Sequence, residues 1–197
     1  MHIDRALRPL AEFEKLMGDL YSWLSACFST DQEASAVFAM LATEEASHAG
    51  LVEYQRRLVR QSPKEFGEVE LDLGDLFTTR AQVEQLRAQQ PPPTVEEALA
   101  FAFQLENTAA EYHFRHVIRQ ANPEIGQLLE SLGKADRQHL GRIMELAAKR
   151  NVFLSASPVP PRCEHREGRP STQRWAGQAP PLHFLPAAPR RIPRREV

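Results

Sequence analysis

Apolar side chains recur at steps of three and four residues over four long stretches of the chain, the period of a helix with one face turned inward. The first stripe is Leu10, Glu14, Met17, Tyr21, Leu24 and Phe28, which predicts a helix from about Arg8 to Cys27 with Pro9 in its first turn. The second is Ala34, Phe38, Leu41, Glu45, His48 and Val52. It predicts a helix to about Arg60, started by Thr30 and Glu33 at capping-box spacing. The turn over 29–31 is so short that these two helices must be antiparallel neighbours. From 61 to 93 the period lapses, with a minor helix expected over 79–90 before Pro91-Pro92-Pro93 ends it. Thr94 and Glu97 repeat the capping-box spacing ahead of a third stripe, Leu99, Phe103, Glu106, Ala110, His113 and Val117. Asn122-Pro123 supplies a cap and a first residue for the fourth, Ile125, Leu128, Leu132, Asp136, His139, Ile143 and Leu146. The expected fold is all-α: a four-helix up-down bundle of two helical hairpins joined by a long crossover.

Charge is what does not belong in these stripes. Glu14, Glu45, Glu106 and Asp136, with His48 and His139, occupy positions that the pattern turns toward the core. A carboxylate there is costly unless it is paired or binds a cation. Singly, each has a plainer explanation, since a histidine on an apolar face is more often a satisfied core residue than a ligand. Together they repeat. Glu14 and Glu106 are 92 residues apart, and Glu45 and Asp136, like His48 and His139, are 91 apart. Tyr21 and Tyr112 follow the first carboxylate of each half at a similar distance. Each half is thus a helix with one inward carboxylate, then a helix with carboxylate-x-x-His, whose two side chains share a face. Four carboxylates and two imidazoles at one depth make a dimetal cage, because so many acids cannot all ionise without cations among them. Mixed oxygen and imidazole ligation suits iron, with manganese as the alternative, rather than a closed structural zinc site. Glu44 and Glu111, beside the stripes, are read as solvated or supporting groups. His113 and His116 can carry protons near neutral pH but are read as helix-surface residues.

Composition bounds the rest. A chain of 197 residues with 42% hydrophobic content supports one domain with a sizeable core, expected over 1–154. The net charge of −2 makes no demand for nucleic acid, yet it is unevenly spread. Residues 155–197 carry eight arginines against three glutamates, or +5, which leaves about −7 on the remainder. That stretch also holds nine of the 15 prolines and no apolar period, so a disordered tail is expected. The apolar cluster over 181–186 makes a docking peptide for a partner the minority reading of it. Two cysteines, Cys27 and Cys163, build neither a four-thiolate site nor a disulfide framework. No apolar run approaches the roughly 18 residues of a membrane span, and the N-terminus lacks the parts of a signal peptide. A cytoplasmic protein with no membrane partner is expected.

Glu14 with Tyr21 seven on, Glu45-Ala-Ser-His48, Leu105-Glu106 with Tyr112, and Asp136-Arg-Gln-His139 carry a resemblance that covers residues 7–150. The chain resembles the ferritin-like superfamily, and within it the rubrerythrin-type di-iron proteins. The resemblance implies two iron ions that react with oxygen or hydrogen peroxide, and pairing of the bundle into a homodimer. Three departures stand out. Asp136 is one methylene shorter than the usual glutamate, and Ala109 stands three after Glu106, where rubrerythrins proper carry an extra ligand glutamate. The paired Cys-x-x-Cys motifs of a rubredoxin-type domain are absent from the sequence, so electrons come from an external donor or from ferrous iron itself. The expected function is a di-iron oxidoreductase, a peroxidase or ferroxidase. The alternative is a non-catalytic iron storage or delivery protein, shell-associated through a tail loosely similar to peptides that load ferritin-like cargo into encapsulin shells. A third reading is a metal-free bundle bound to a partner, for which Asp136 is the one hint.

Overall fold

The computed structural model describes residues 2–66, 68, 72–119 and 122–154, which contain six helices and no strand. The first helix, α1 (Ile3–Cys27), starts at Ile3 rather than near Arg8. Ile3, Ala6 and Leu7 are fully buried and extend the apolar stripe toward the N-terminus, while His2 Nδ1 accepts the Asp4 N–H at 3.3 Å as the cap. Pro9 therefore lies inside the helix and leaves the Arg5 carbonyl without its helical donor. Arg5 is exposed, so solvent can serve that carbonyl.

The cap of α2 (Gln32–Gln61) also differs from expectation. Asp31, not Thr30, accepts the Ala34 N–H at 3.1 Å. A carboxylate at this position also meets the positive end of the helix dipole. In the crossover, α3 (Pro63–Phe66) precedes α4 (Gly74–Ala88), which begins before the expected Thr79 because Asp72 Oδ1 accepts the Gly74 N–H at 2.9 Å. Buried Leu76 and Val83 fix α4 against the core, where it touches α1 and α5. The capping box of α5 (Val95–Arg119) forms as expected, with Glu97 N–H donating to Thr94 Oγ1 at 3.2 Å and Thr94 N–H to Glu97 Oε2 at 2.9 Å. Asn122 caps α6 (Pro123–Lys149), its Oδ1 accepting the N–H groups of Glu124 and Ile125 at 3.1 Å.

The long helices pack as α1 on α2, α5 on α6 and α2 on α6. Polar contacts give the directions. Arg60 near the end of α2 donates to Asp4 at the start of α1 at 2.8 Å, and Ser25 and Ser35 exchange hydroxyl–carbonyl bonds at 3.0 Å beside the turn. Arg150, capping the end of α6, grips Asp31 with two bonds of 2.7 Å, and Gln55 reaches Glu124 at the other end at 3.3 Å. Both pairs are antiparallel. Between them lies an apolar interior in which Leu10, Met17, Tyr21, Phe38, Leu41 and Leu99 are buried. Gly18 lets α1 approach α2 closely, because a Cβ there would stand 3.4 Å from both the Ala42 carbonyl oxygen and Glu45 Cβ. No helix among the described residues is long and apolar enough to cross a membrane. The expectations for the 155–197 tail and for the Glu111 side chain fall outside the described residues.

Candidate metal centre

Each long helix turns charge into this interior at mid-length. Glu14 comes from α1, Glu45 and His48 from α2, Glu106 from α5, and Asp136 and His139 from α6; none is more than 7% exposed. The carboxylate-x-x-His spacing does what helical geometry demands, bringing His48 Nδ1 to 3.1 Å from Glu45 Oε2. Five of the six meet in two overlapping groups, Glu45–His48–His139 and Glu106–Asp136–His139, whose donor atoms lie within 4.8 Å of one another. Such buried groups can hold a metal ion. His139 belongs to both, with Nδ1 at 3.1 Å from Glu45 Oε1 and 3.2 Å from Glu106 Oε2. The His48 and His139 rings stack at 5.3 Å. Glu14 stands beside the first group, its Oε2 at 3.7 Å from His48 Nδ1.

Supporting contacts orient these groups. Glu44 accepts from His139 Nε2 at 3.0 Å and is itself bound by Arg142. Glu44 is therefore a supporting residue, and with Nε2–H engaged the His139 Nδ1 is directed at Glu45 and Glu106. Tyr21 O–H donates across to Glu106 Oε1 at 2.5 Å.

His113 and His116 contradict the surface reading, since both are buried. His116 is a structural tie. Its Nδ1–H donates to the Tyr112 carbonyl at 2.8 Å, and its Nε2 accepts the Asp72 N–H at 3.2 Å, holding the crossover to α5. His113 enters the charged cluster, with Nδ1 at 2.7 Å from Asp136 Oδ2 and Nε2 at 3.5 Å from Glu14 Oε1. The signal for it was present, because His113 stands seven residues after Glu106 in the same stripe.

Burial and crowding separate the protonation states. Burial pushes Glu14 up to about 8, and Glu106, also buried, up to about 7. Burial would raise Glu45 too, but hydrogen bonds with His139, His48 and Glu14 outweigh it and bring this acid down to about 2. Burial disfavours charged imidazoles, yet Glu14 and Glu45 lift His48 to about 10, and Glu106 and Glu45 lift His139 to about 11. His113 rises likewise, burial being overcome chiefly by Asp136. Burial, then the Glu106 and Glu45 charges, puts the Tyr21 phenol well above its ordinary range. Without metal, imidazolium protons thus supply the positive charge that the acids need. The donor set fits a cation in their place. Carboxylate oxygens and imidazole nitrogens suit iron or manganese, and Glu14 Oε1 and His113 Nε2 are buried without a hydrogen-bond partner among the described residues.

Compared with protein-family models, with curated proteins and with solved structures, this chain matches none.

Proposed function

We propose that the four long helices form a ferritin-like four-helix bundle around two iron ions, and that the protein is an oxidoreductase that reduces peroxide or oxidises ferrous iron. One observation carries this reading: two buried donor groups, drawn from both halves of a repeated hairpin, share His139. Two such groups side by side suit a pair of neighbouring ions, with His139 serving one of them. Glu14, Glu45 and His48 would hold one ion, and Glu106, Asp136 and His139 the other. Glu45 suits the place between them, because its two oxygens face different histidines at 3.1 Å. Manganese fits the same donors.

Bound there, the metal pair would supply the two electrons that peroxide reduction takes, or would pass electrons from ferrous iron to oxygen or peroxide. The chain's own residues do the rest. Apolar packing around the cluster excludes water from the ligand atoms. Glu44, 34% exposed at its side chain, links His139 Nε2 to solvent and gives the buried imidazole a route for its proton. Glu14 and Glu106, raised by burial to about 8 and about 7 without metal, would give up their protons as the ions bind. An external donor would restore the electrons between turnovers.

The second reading, iron storage or delivery without turnover, is favoured by Ala109. It is buried on α5 where the resemblance would place a further carboxylate. Protein purified after growth with iron, analysed for metal per chain and then for turnover with peroxide and with ferrous iron, separates the readings. Two irons with turnover are expected. Two irons without turnover would leave storage or delivery, and protein that takes up no iron would overturn both.

A further inference from the structure

The repeat breaks its symmetry seven residues after the first carboxylate of each half. Tyr21 stands seven residues after Glu14 on α1, and His113 stands seven after Glu106 on α5. Each crosses to the first carboxylate of the other half: Tyr21 O–H to Glu106 Oε1 at 2.5 Å, and His113 Nε2 to a position 3.5 Å from Glu14 Oε1. By contact, then, His113 is a counterpart of Tyr21.

The two crossings differ chemically. The phenol donates a hydrogen and satisfies its carboxylate. The imidazole already has a partner at Nδ1, where Asp136 Oδ2 lies at 2.7 Å. With Nδ1–H donating to that oxygen, Nε2 is the nitrogen turned to Glu14 Oε1. Both atoms are buried, and neither makes a hydrogen bond among the described residues. A closed charge-assisted N–H···O bond between them would measure about 2.7–2.9 Å. The 3.5 Å gap is wider than that. Two buried polar atoms left unbonded face to face offer a cation a place once their protons are given up. With metal–ligand bonds of about 2.0–2.2 Å, adjacent ligands on one ion stand about 3 Å apart, which this pair reaches with a small movement.

We propose that His113 is a seventh metal ligand, bound through Nε2 to the ion that Glu14 and His48 also hold. This rests on the dimetal reading above and adds to it a second imidazole at one of the two ions. Asp136 then has two tasks. Its Oδ2 fixes the tautomer and orientation of His113, as a carboxylate behind a metal-bound histidine does, and its other oxygen can serve the second ion. A glutamate at 136 would carry its carboxylate one methylene farther from α6, past the position that meets His113 Nδ1. The short acid and the added imidazole belong together. A neutral ligand in place of an anionic one also favours the lower oxidation state of the ion it binds.

Cobalt(II) titrated anaerobically into the full-length metal-free chain tests this. Exchangeable imidazole N–H resonances shifted by the bound ions count the coordinated histidines. Three are expected in the native protein, and two in His113→Gln, which should bind one of its two ions roughly tenfold or more weakly. Free imidazole added to His113→Gly should restore much of that affinity. Two shifted resonances in native protein carrying two cobalt ions would overturn the assignment of His113 and leave the dimetal centre standing. Native protein that takes up no cobalt would overturn both. The native count decides even if a variant fails to fold.

Discussion

At the residue scale, Glu45 is the group on which the cluster turns, since its two oxygens meet His48 and His139 separately. Glu45→Ala should remove most bound metal while circular dichroism still reports a helical protein. Two ions per chain retained in that variant would refute the central assignment. Glu44→Gln acts at one remove. It removes the charged acceptor behind His139, so metal affinity should fall by about 10–100-fold while the melting temperature of the metal-free protein barely moves. The burial of these six charged groups was legible because their charges interrupt apolar stripes and recur at 91–92 residues. Lone buried charges would not have been. His113 stood in the stripe but was read singly, without its carboxylate neighbours on other helices. His116 was misread because a stripe follows one line along a helix, whereas α5 packs on α6 and on the crossover at once. What faces the second neighbour depends on where the crossover runs, and its lapsed period does not say.

At the scale of elements, α1 approaches α2 closely at Gly18, next to Glu45. Gly18→Ala should be accepted, because the added methyl meets its neighbours at ordinary contact distance, and helix propensity should raise stability by up to about 1 kcal/mol. Gly18→Leu should not. It would push α1 off α2 beside a ligand, so metal content and melting temperature should fall together. A leucine variant that keeps full metal content would show that the approach is not needed. The four long helices and both hairpins were legible because their apolar positions keep one period for about five turns or more. Their ends were less so. Pro9 reads as a helix start, but buried Ile3 and Leu7 carry α1 past it. Thr30 and Asp31 are both good caps in sequence, and only the path of the turn puts the Asp31 carboxylate over the Ala34 N–H.

For the whole molecule, metal binding and protonation compete. His48 and His139, lifted to about 10 and about 11, hold protons at neutral pH that they must give up to become ligands. Loading metal should therefore release protons, and affinity should increase as pH rises from about 6 to about 8. Titration calorimetry in buffers of different ionisation enthalpy reads the proton count directly. Affinity that falls over that range would contradict these charge states. The ion pairs that join the described helices at their ends, Asp4 with Arg60 and Asp31 with Arg150, are partly exposed, whereas the middle is held by apolar packing and, when loaded, by metal. Salt with a screening length of about 8–10 Å weakens the former and leaves the latter almost untouched. In deuterium oxide, added salt should thus hasten exchange of amides in the terminal turns of α2 and α6. Metal should slow exchange around Glu45 and Asp136, so that the molecule opens from its rims inward and yields its centre last.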